Sequence, residues 1–225
     1  MFHFSCLAVS ARPWRAGLLL AFASAALLAS AAGAHAQFAP PSPGTTVHDP
    51  SALRPPAGSK VAIVEFEDME CPDCAHANPL LKEMAATYKI PWVRHDFPLP
   101  FHAWSFNAAV NARWFDLKSK ALGDEYRDAV FANQVSITSL DILHDFTDKF
   151  AKSRSIALPF AMDPQGKLAA AVKSDYALGQ RVGIEHTPTI WVVTASSKGA
   201  PFVEVVDRSK LSQLIDQAIA ETRSR

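Results

Sequence analysis

The stretch that decides the fold runs from Val61 to Cys74 and reads VAIVEFEDMECPDC. It opens with a continuous apolar run rich in Val and Ile, which is typical of a central strand covered on both faces. Its last four residues begin a helix-compatible stretch, with Pro72 at the first helical position, where its missing N–H costs nothing. We expect the sulfur of Cys71 to point outward and to be stabilised as a thiolate by the positive end of that helix. Two thiols placed in this way can exchange a disulfide with another protein.

The first 36 residues have the organisation of a secretory signal peptide. Arg12 and Arg15 precede an apolar stretch, which ends at the A-x-A cleavage site Ala34-His35-Ala36. An uncleaved N-terminal anchor is the alternative, although small residues dominate the segment rather than Leu or Ile. We therefore predict a periplasmic or otherwise extracytoplasmic protein, exported by a cleavable signal peptide.

Cleavage would remove Cys6 and leave Cys71 and Cys74 as the only thiols of the mature chain, in an oxidising compartment. The whole chain has 22 Lys+Arg and 22 Asp+Glu. The signal segment carries two of the basic residues and none of the acidic ones, which leaves a formal charge of −2. No basic patch indicates a nucleic-acid partner. We expect a monomer that binds no nucleic acid.

The chain after the signal divides into a leader and one domain. Residues 37–59 are rich in Pro, Ser, Thr and Gly and predict a flexible leader. Residues 60–225 follow as the domain. It begins with a strand over Lys60–Phe66, a helix over Cys71–Lys89 and a strand over Pro91–Phe97. These three elements predict a right-handed, parallel β-α-β unit.

A helical insert of about residues 101–182 follows that unit. Its helices are predicted at Phe101–Leu117, Asp124–Asn133 and Ser139–Ala151, and from Asp163 as N-cap, with Pro164 at the first helical position, to Gly183. Strands return at Thr189–Ala195 and Phe202–Val206, joined by a turn at Lys198-Gly199, before Asp207 caps a closing amphipathic helix. The pattern predicts an α/β fold in which a small β/α core is interrupted by helices.

Glu65 lies on the strand that leads into the cysteine motif. If the strand is buried, desolvation raises the pKa of this carboxylate. Such a group can pass a proton to or from Cys74 when a disulfide is cleaved or formed. The alternative is a glutamate at the strand end that simply reaches solvent.

A second signal is the stretch His186-Thr187-Pro188-Thr189, directly before an apolar strand. Proline cannot donate to a strand ladder, which favours a bend or a cis bond at Pro188. An ordinary trans proline that starts a strand is the alternative. In a dithiol enzyme, a cis-proline loop facing the cysteines lets an extended substrate pair with the backbone beside the reactive sulfur. On that reading Thr187 and His186 contact the substrate.

Four features together resemble the thioredoxin superfamily: Glu65, the Cys-Pro-Asp-Cys motif, Pro79 five residues after it, and Thr187-Pro188. The helical insert makes the chain similar to the DsbA type of extracytoplasmic thiol–disulfide oxidoreductase, over residues 60–222. The resemblance implies a thioredoxin-like fold, in which helices flank a central mixed β-sheet and a helical domain is inserted.

The resemblance also implies a role for each matching residue. Cys71 and Cys74 would form the redox-active disulfide, with Cys71 as exposed nucleophile and Cys74 resolving the mixed disulfide. Glu65 would buffer the proton of the buried thiol, and Pro188 would be cis. The enzyme would oxidise cysteine pairs in secreted proteins and be reoxidised by a quinone-linked membrane partner, with no cofactor and no metal.

Two alternatives stay open at this point. The protein could instead be a disulfide reductase or isomerase that a membrane electron donor keeps reduced. It could also be a non-catalytic binding module or copper carrier, with Cys71, Cys74 and His76 holding a soft ion such as Cu(I).

The chain departs from the best-known oxidases of this type at Asp73, where a His is typical. An anionic side chain there should raise the pKa of Cys71 and make the couple less oxidising. His102, which follows a run of prolines and aromatic residues, could line the groove beside Cys71. It could equally pack within an aromatic cluster at a helix start.

Overall fold

The computed structural model describes residues 44–196 and 200–223. The predicted signal peptide, its cleavage site, the first residues of the leader and the turn at Lys198-Gly199 lie outside these residues. Within them, no helix is both long enough and apolar enough to cross a membrane.

A four-stranded mixed sheet forms the centre of the described chain. Its strands are β1 (Val61–Glu67), β2 (Trp92–Asp96), β3 (Thr189–Thr194) and β4 (Phe202–Glu204), in the order β2-β1-β3-β4. β1 pairs parallel with β2 and antiparallel with β3, and β3 pairs antiparallel with β4. Every residue of β1 is buried, as the continuous apolar run predicts for a central strand.

Six α-helices surround this sheet in the described residues. They are α1 (Pro72–Tyr88), α2 (Ser105–Asp116), α3 (Lys120–Asn133), α4 (Leu140–Lys152), α5 (Lys167–Val182) and α6 (Leu211–Arg223). The unit β1-α1-β2 and the return to strands at β3 confirm the predicted fold class, and α2 to α5 lie between β2 and β3.

The prediction of Asp163 as a helix N-cap is wrong. Residues 163–166 form a turn, in which Gly166 N donates to Asp163 O at 3.2 Å and Gly166 has a φ of 67°. Glycine adopts this left-handed conformation easily, so the turn competes with a helix start. Gly166 is instead the N-cap of α5, while the Asp163 carboxylate accepts a hydrogen bond from Ala169 N at 2.8 Å.

The described part of the Pro-rich leader packs against the domain, in contrast to the expected flexible segment. His48 N donates to Val182 O at 2.9 Å, and Leu53 is buried. A Cβ atom at Gly183 would lie 2.5 Å from Thr46 O, so only glycine allows this close approach. The apolar Leu53 side chain thus anchors a stretch whose composition alone indicates a linker.

Both cysteines belong to the buried cluster that the inserted helices build. Its other members include Met69, Trp104 and Phe115. The insert therefore covers the first turn of α1, and it contributes directly to the surroundings of the cysteine motif.

Candidate functional site

The two cysteines lie at the start of α1, just after β1 ends. Cys71 is the N-cap residue, with an extended backbone, and Pro72 occupies the first helical position as predicted. Both cysteines are free in this structure. The N-cap position points the first unpaired backbone N–H groups of the helix toward the Cys71 sulfur.

Cys71 is covered rather than outward-pointing, and the expectation of an exposed sulfur is wrong. The residue is 8% exposed, and its Sγ donates a hydrogen bond to Thr187 O at 3.3 Å. The pKa of the Cys71 thiol is lowered to about 6. The largest cause is a hydrogen bond from the Cys74 side chain. The Thr187 side chain and the backbone N–H groups of Cys74 and Asp73 also lower it, whereas burial opposes the shift.

Cys74 lies in the opposite environment. Its side chain is inaccessible to solvent, and its sulfur accepts a long hydrogen bond of 3.5 Å from Asp68 N. Burial raises the pKa of the Cys74 thiol well above its usual value, and the charges of Glu65 and Cys71 raise it further. One turn of helix thus places a thiol that ionises readily beside one that resists ionisation.

The loop before β3 covers the Cys71 sulfur. Thr189, at the start of β3, pairs with Phe66 near the end of β1, so antiparallel pairing brings this loop to the motif. The Thr187–Pro188 peptide bond is cis. The Thr187 hydroxyl is buried and forms no hydrogen bond of standard geometry with a described residue.

A groove of about 300 Å³ runs beside this loop. Its lining includes His186, Thr187 and Pro188, together with Asp73 and Arg208. The structure therefore brings the three predicted loop residues and the motif to one surface. An extended peptide in this groove would lie next to the covered sulfur.

Glu65 is buried on β1, as the apolar run predicts. It is 1% exposed, and its Oε2 accepts a hydrogen bond of 2.9 Å from Trp92 Nε1. Burial raises the pKa of Glu65 to about 8, with a further rise from the charge of Glu67. The alternative of a glutamate that reaches solvent is wrong. Because the Glu65 charge also raises the pKa of Cys74, the two groups influence each other directly.

Asp73 has a partner that sequence reasoning missed. Arg208 Nη2 donates to Asp73 Oδ1 at 2.6 Å, and Arg208 Nη1 donates to Asp73 O at 3.2 Å. The backbone N–H of Asp73 is one of the groups that lower the pKa of Cys71. The expected rise in the Cys71 pKa assumed an unpaired carboxylate, whereas this carboxylate is paired with Arg208; its effect on Cys71 stays a prediction.

His102 lies outside the lining of the groove. Its Nδ1 is 2.7 Å from Asp68 Oδ2, and its ring packs edge-on against Phe101. Asp68 is buried and also accepts hydrogen bonds from Leu99 N at 2.6 Å and Glu70 N at 2.7 Å. His102 therefore holds the loop before the motif, which favours the alternative of a His packed at a helix start; a place beside Cys71 stays a prediction.

Gln134 is a further contact of the motif that sequence reasoning missed. It follows α3, and its Nε2 donates to Met69 O at 2.9 Å and to Cys71 O at 3.0 Å. This amide links the insert to the backbone on either side of Glu70. Nothing in the local sequence marks Gln134 or Arg208, because each reaches the motif only through the folding of distant segments.

The described part of the chain contains no group of three or more His, Cys, Asp or Glu side chains arranged to hold a metal ion. The two cysteines and His76 are thus not gathered into the ligand set of the copper-carrier alternative.

A family model described as Thioredoxin matches residues 57–217. Similar solved structures include alpha-DsbA1 of Wolbachia pipientis, with 16% identity, a TM-score of 0.58 and coverage of 76% of this chain and 94% of that one. DsbA2 of Pseudomonas aeruginosa shares 19% identity, with a TM-score of 0.55 and coverage of 80% and 98%. ScsC of Proteus mirabilis shares 20% identity, with a TM-score of 0.55 and coverage of 74% and 71%.

Among curated proteins, the chain is similar to Na(+)/H(+) antiporter NhaA 1 of Salinispora arenicola (strain CNS-205). The two are 27% identical over an alignment of 184 positions, which covers 79% of this chain and 26% of that protein. The chain thus spans about a quarter of the length of this relative.

Proposed function

The chain belongs to the thioredoxin family and has a DsbA-like fold, and on that premise we propose that it is a thiol–disulfide oxidoreductase that oxidises cysteine pairs in secreted proteins. The observation that carries the proposal is the contrast between the two thiols of the motif. The pKa of Cys71 is lowered to about 6, while burial raises that of Cys74. Disulfide exchange uses this asymmetry, because one sulfur must leave readily and the other must take up a proton.

The reaction starts from the Cys71–Cys74 disulfide. A substrate thiolate attacks Cys71, forms a mixed disulfide and releases Cys74, which takes up a proton. A second substrate thiolate then attacks the substrate sulfur of the mixed disulfide and releases Cys71 as a thiolate. The substrate gains a disulfide and loses two electrons, which the enzyme retains as its dithiol. In the reverse direction, Cys74 resolves the mixed disulfide.

Glu65 supplies the proton in this scheme. With a pKa of about 8, it is largely protonated near neutral pH, although it is a carboxylic acid. It lies close enough to Cys74 for its charge to affect that thiol. When Cys74 leaves, Glu65 can donate a proton and avoid a buried thiolate.

The low pKa of Cys71 supports the oxidising direction. A stable Cys71 thiolate favours the reduced enzyme, so the disulfide form is a stronger acceptor of electrons. A quinone-linked membrane partner would then reoxidise the dithiol. The signal-like first 36 residues support an extracytoplasmic location, where such chemistry is needed.

The groove beside Pro188 would receive the substrate. The groove lies next to Thr187, whose carbonyl accepts a hydrogen bond from the Cys71 thiol in the reduced protein. The disulfide form has no S–H to donate, which leaves this carbonyl available to an incoming peptide. Backbone pairing would give affinity with little sequence preference. This suits an enzyme whose substrates are reduced secreted proteins with exposed cysteines.

A test combines the purified enzyme with a reduced peptide that carries two cysteines. The oxidised wild-type enzyme should oxidise the peptide stoichiometrically, and Cys71→Ser should be inactive. Cys74→Ser, loaded at Cys71 with a peptide that carries a single cysteine, should retain it as a mixed disulfide, because neither Cys74 nor a second substrate thiol can displace it. Failure of the wild type to oxidise the peptide would refute the proposal.

The in-cell redox state decides the direction of electron flow. Alkylation with a thiol-reactive mass tag after acid quenching should find the Cys71–Cys74 pair mostly oxidised. A mostly reduced pair would instead identify a reductase that is fed by a membrane electron donor.

A further inference from the structure

Asp73 places an anion inside the redox motif, two residues after the sulfur that must become a thiolate. We propose that Arg208 is the counter-ion of the motif: a positioning residue that neutralises and orients Asp73, and thereby stabilises the Cys71 thiolate and the reduced enzyme. This inference rests on the proposed function, because it assigns to Arg208 control over the redox equilibrium of the same site.

The contact between the two residues is specific. Arg208 binds the side chain of Asp73 through Nη2 and the backbone carbonyl of Asp73 through Nη1. Two donors from one guanidinium thus fix both the carboxylate and the first turn of α1. In the described part of the chain, Arg208 is the cation within ion-pair distance of Asp73.

The fold presents Arg208 in a defined orientation. Arg208 begins the short 3₁₀ turn that leads into α6, and Asp207 is the N-cap of this turn. The Asp207 carboxylate accepts from Ser209 N at 3.0 Å and from Ser209 Oγ at 2.6 Å. The capped turn directs the Arg208 side chain back to the motif, across 135 residues of sequence.

The other carboxylate that lines the groove, Glu204, does not compete for Arg208. Its carboxylate accepts hydrogen bonds from Thr45 N at 2.5 Å and Thr45 Oγ1 at 3.0 Å instead. Arg208 in addition lowers the pKa of Glu65 slightly, against the larger effect of burial. Arg208 therefore acts on an anion within the motif and on the proposed proton donor.

The pair should affect redox balance more than folding. Both side chains are partly exposed, at 31% for Arg208 and 53% for Asp73. Ion pairs with this exposure add little to the stability of a fold. The effect proposed for the pair is instead on the ionisation of Cys71, which governs the equilibrium between dithiol and disulfide.

The equilibrium with glutathione measures this effect directly. The dithiol reduces glutathione disulfide: the glutathione S–S bond breaks, the Cys71–Cys74 bond forms, and two glutathione thiols take the two protons and two electrons. Without Arg208, the Asp73 carboxylate disfavours the Cys71 thiolate, so the equilibrium shifts toward the protein disulfide.

The experiment compares Arg208→Gln, Arg208→Lys, Asp73→Asn and the double variant Asp73→Asn/Arg208→Gln. Lys210→Gln is the matched control, because Lys210 lies in the same 3₁₀ turn and pairs with Asp207 at 3.8 Å. We expect Arg208→Gln to shift the glutathione equilibrium about two- to fivefold toward the disulfide, the scale of a partly exposed ion pair. Lysine at this position should restore most of the effect, and the control should match wild type.

The double variant identifies the mechanism. Arg208→Gln should have much less effect when Asp73 is already Asn, because no carboxylate then needs a counter-ion. Equal thermal unfolding midpoints for Arg208→Gln and Lys210→Gln would separate the redox effect from a loss of folding. An unchanged equilibrium in Arg208→Gln, or an equal shift in both backgrounds, would overturn the inference.

Failure of the proposed function gives a different result. If wild type neither equilibrates with glutathione nor oxidises the peptide, the proposed function fails. The ultraviolet titration of the Cys71 thiolate still tests Arg208 in that case, since it requires no exchange. A higher titration midpoint in Arg208→Gln than in Lys210→Gln supports the inference, and equal midpoints overturn it.

Discussion

Glu65 and Glu67 lie two residues apart on β1, and each is 1% exposed, yet their surroundings differ. Glu67 accepts hydrogen bonds from Arg94 Nε at 3.0 Å and Nη2 at 2.7 Å, and Arg127 Nε lies 3.5 Å from it. Glu65 forms no ion pair with a described residue and accepts a hydrogen bond from the neutral donor Trp92 Nε1. Burial raises the pKa of Glu65 more than the charges of Arg94 and Arg208 lower it. Glu67 is buried together with its cations and serves as a structural ion pair. Glu65 is buried without a paired cation, which suits it to the role of a proton donor.

The ion network around Glu67 connects the sheet to the insert. Arg127, on α3, also binds Asp116 at the end of α2, with donor–acceptor distances of 3.1 Å and 2.9 Å. Arg94, on β2, donates to Asn78 Oδ1 at 3.1 Å, and Asn78 belongs to α1. Charged side chains therefore hold the inserted helices against the strand that carries Glu65.

Of the substitutions considered, removing the carboxylate of Glu67 should lower the free energy of unfolding most. Glu67→Gln leaves the buried Arg94 and Arg127 without this anion, and breaking a buried pair in this way costs about 3–5 kcal/mol of unfolding free energy. Urea unfolding at pH 7 measures the loss. Glu65→Gln is the matched control on the same strand and should lose far less, because it removes an unpaired buried acid. Equal losses of unfolding free energy in the two variants would contradict the distinction between a paired Glu67 and an unpaired Glu65.

Removing the carboxylate of Glu65 should affect the reaction instead. Glu65→Gln keeps the hydrogen-bonding shape but cannot exchange a proton with Cys74, so peptide oxidation should slow about 100-fold, within the range of general acid–base catalysis. Stopped-flow rates at pH 7 test this. Glu83→Gln, at an exposed position on α1, should match wild type. Rates within twofold of wild type for Glu65→Gln would contradict the proton-donor role.

The pH dependence of stability should distinguish the two glutamates further. Because burial raises the pKa of Glu65 from 4.5 to about 8, the folded protein holds a proton there that the unfolded chain has lost. Its contribution is fully present below pH 4.5 and is lost as pH rises to about 8, by up to about 1.4 kcal/mol per pH unit. Urea unfolding at pH 5 and pH 7 should show this fall in wild type. A fall of equal size in Glu65→Gln would assign it to another group.

The Thr187 hydroxyl is a neutral buried group near the motif. Its removal should have the smallest effect of these changes, a small shift in the pKa of Cys71. The hydroxyl is buried in the loop that covers Cys71 and lowers the pKa of that thiol, although it forms no hydrogen bond of standard geometry with a described residue. Thr187→Val should raise the pKa of Cys71 by about half a unit, a roughly threefold loss of thiolate near the midpoint. Thr194→Val, at the other end of β3, is the control. Indistinguishable thiolate titrations would show that the hydroxyl does not donate to the sulfur.

Local patterns account for much of the fold and for the core of the site. The apolar run of β1, the proline after Cys71 and the β-α-β spacing all act over a few residues, and the structure agrees with them. Burial of Glu65 follows from the same run. The turn that displaces the predicted cap at Asp163 was also local, since Gly166 marks it.

Contacts between distant segments could not be predicted in this way. The Cys71 sulfur is covered by a carbonyl 116 residues away, and Asp73 is neutralised by a side chain 135 residues away. Gln134 reaches the Cys71 carbonyl across 63 residues. Charge and exposure at the motif depend on these contacts, so sequence reasoning missed the partner of Asp73 and misjudged the exposure of Cys71.

The most direct test of the account is the ultraviolet titration of thiolate in the reduced wild-type protein. The asymmetric pair predicts one thiolate appearing with a midpoint near pH 6, lost in Cys71→Ser, and a second that is still protonated at pH 9. Absence of any thiolate below pH 8, or a low transition that persists in Cys71→Ser, would contradict the assignment of Cys71 as the reactive sulfur.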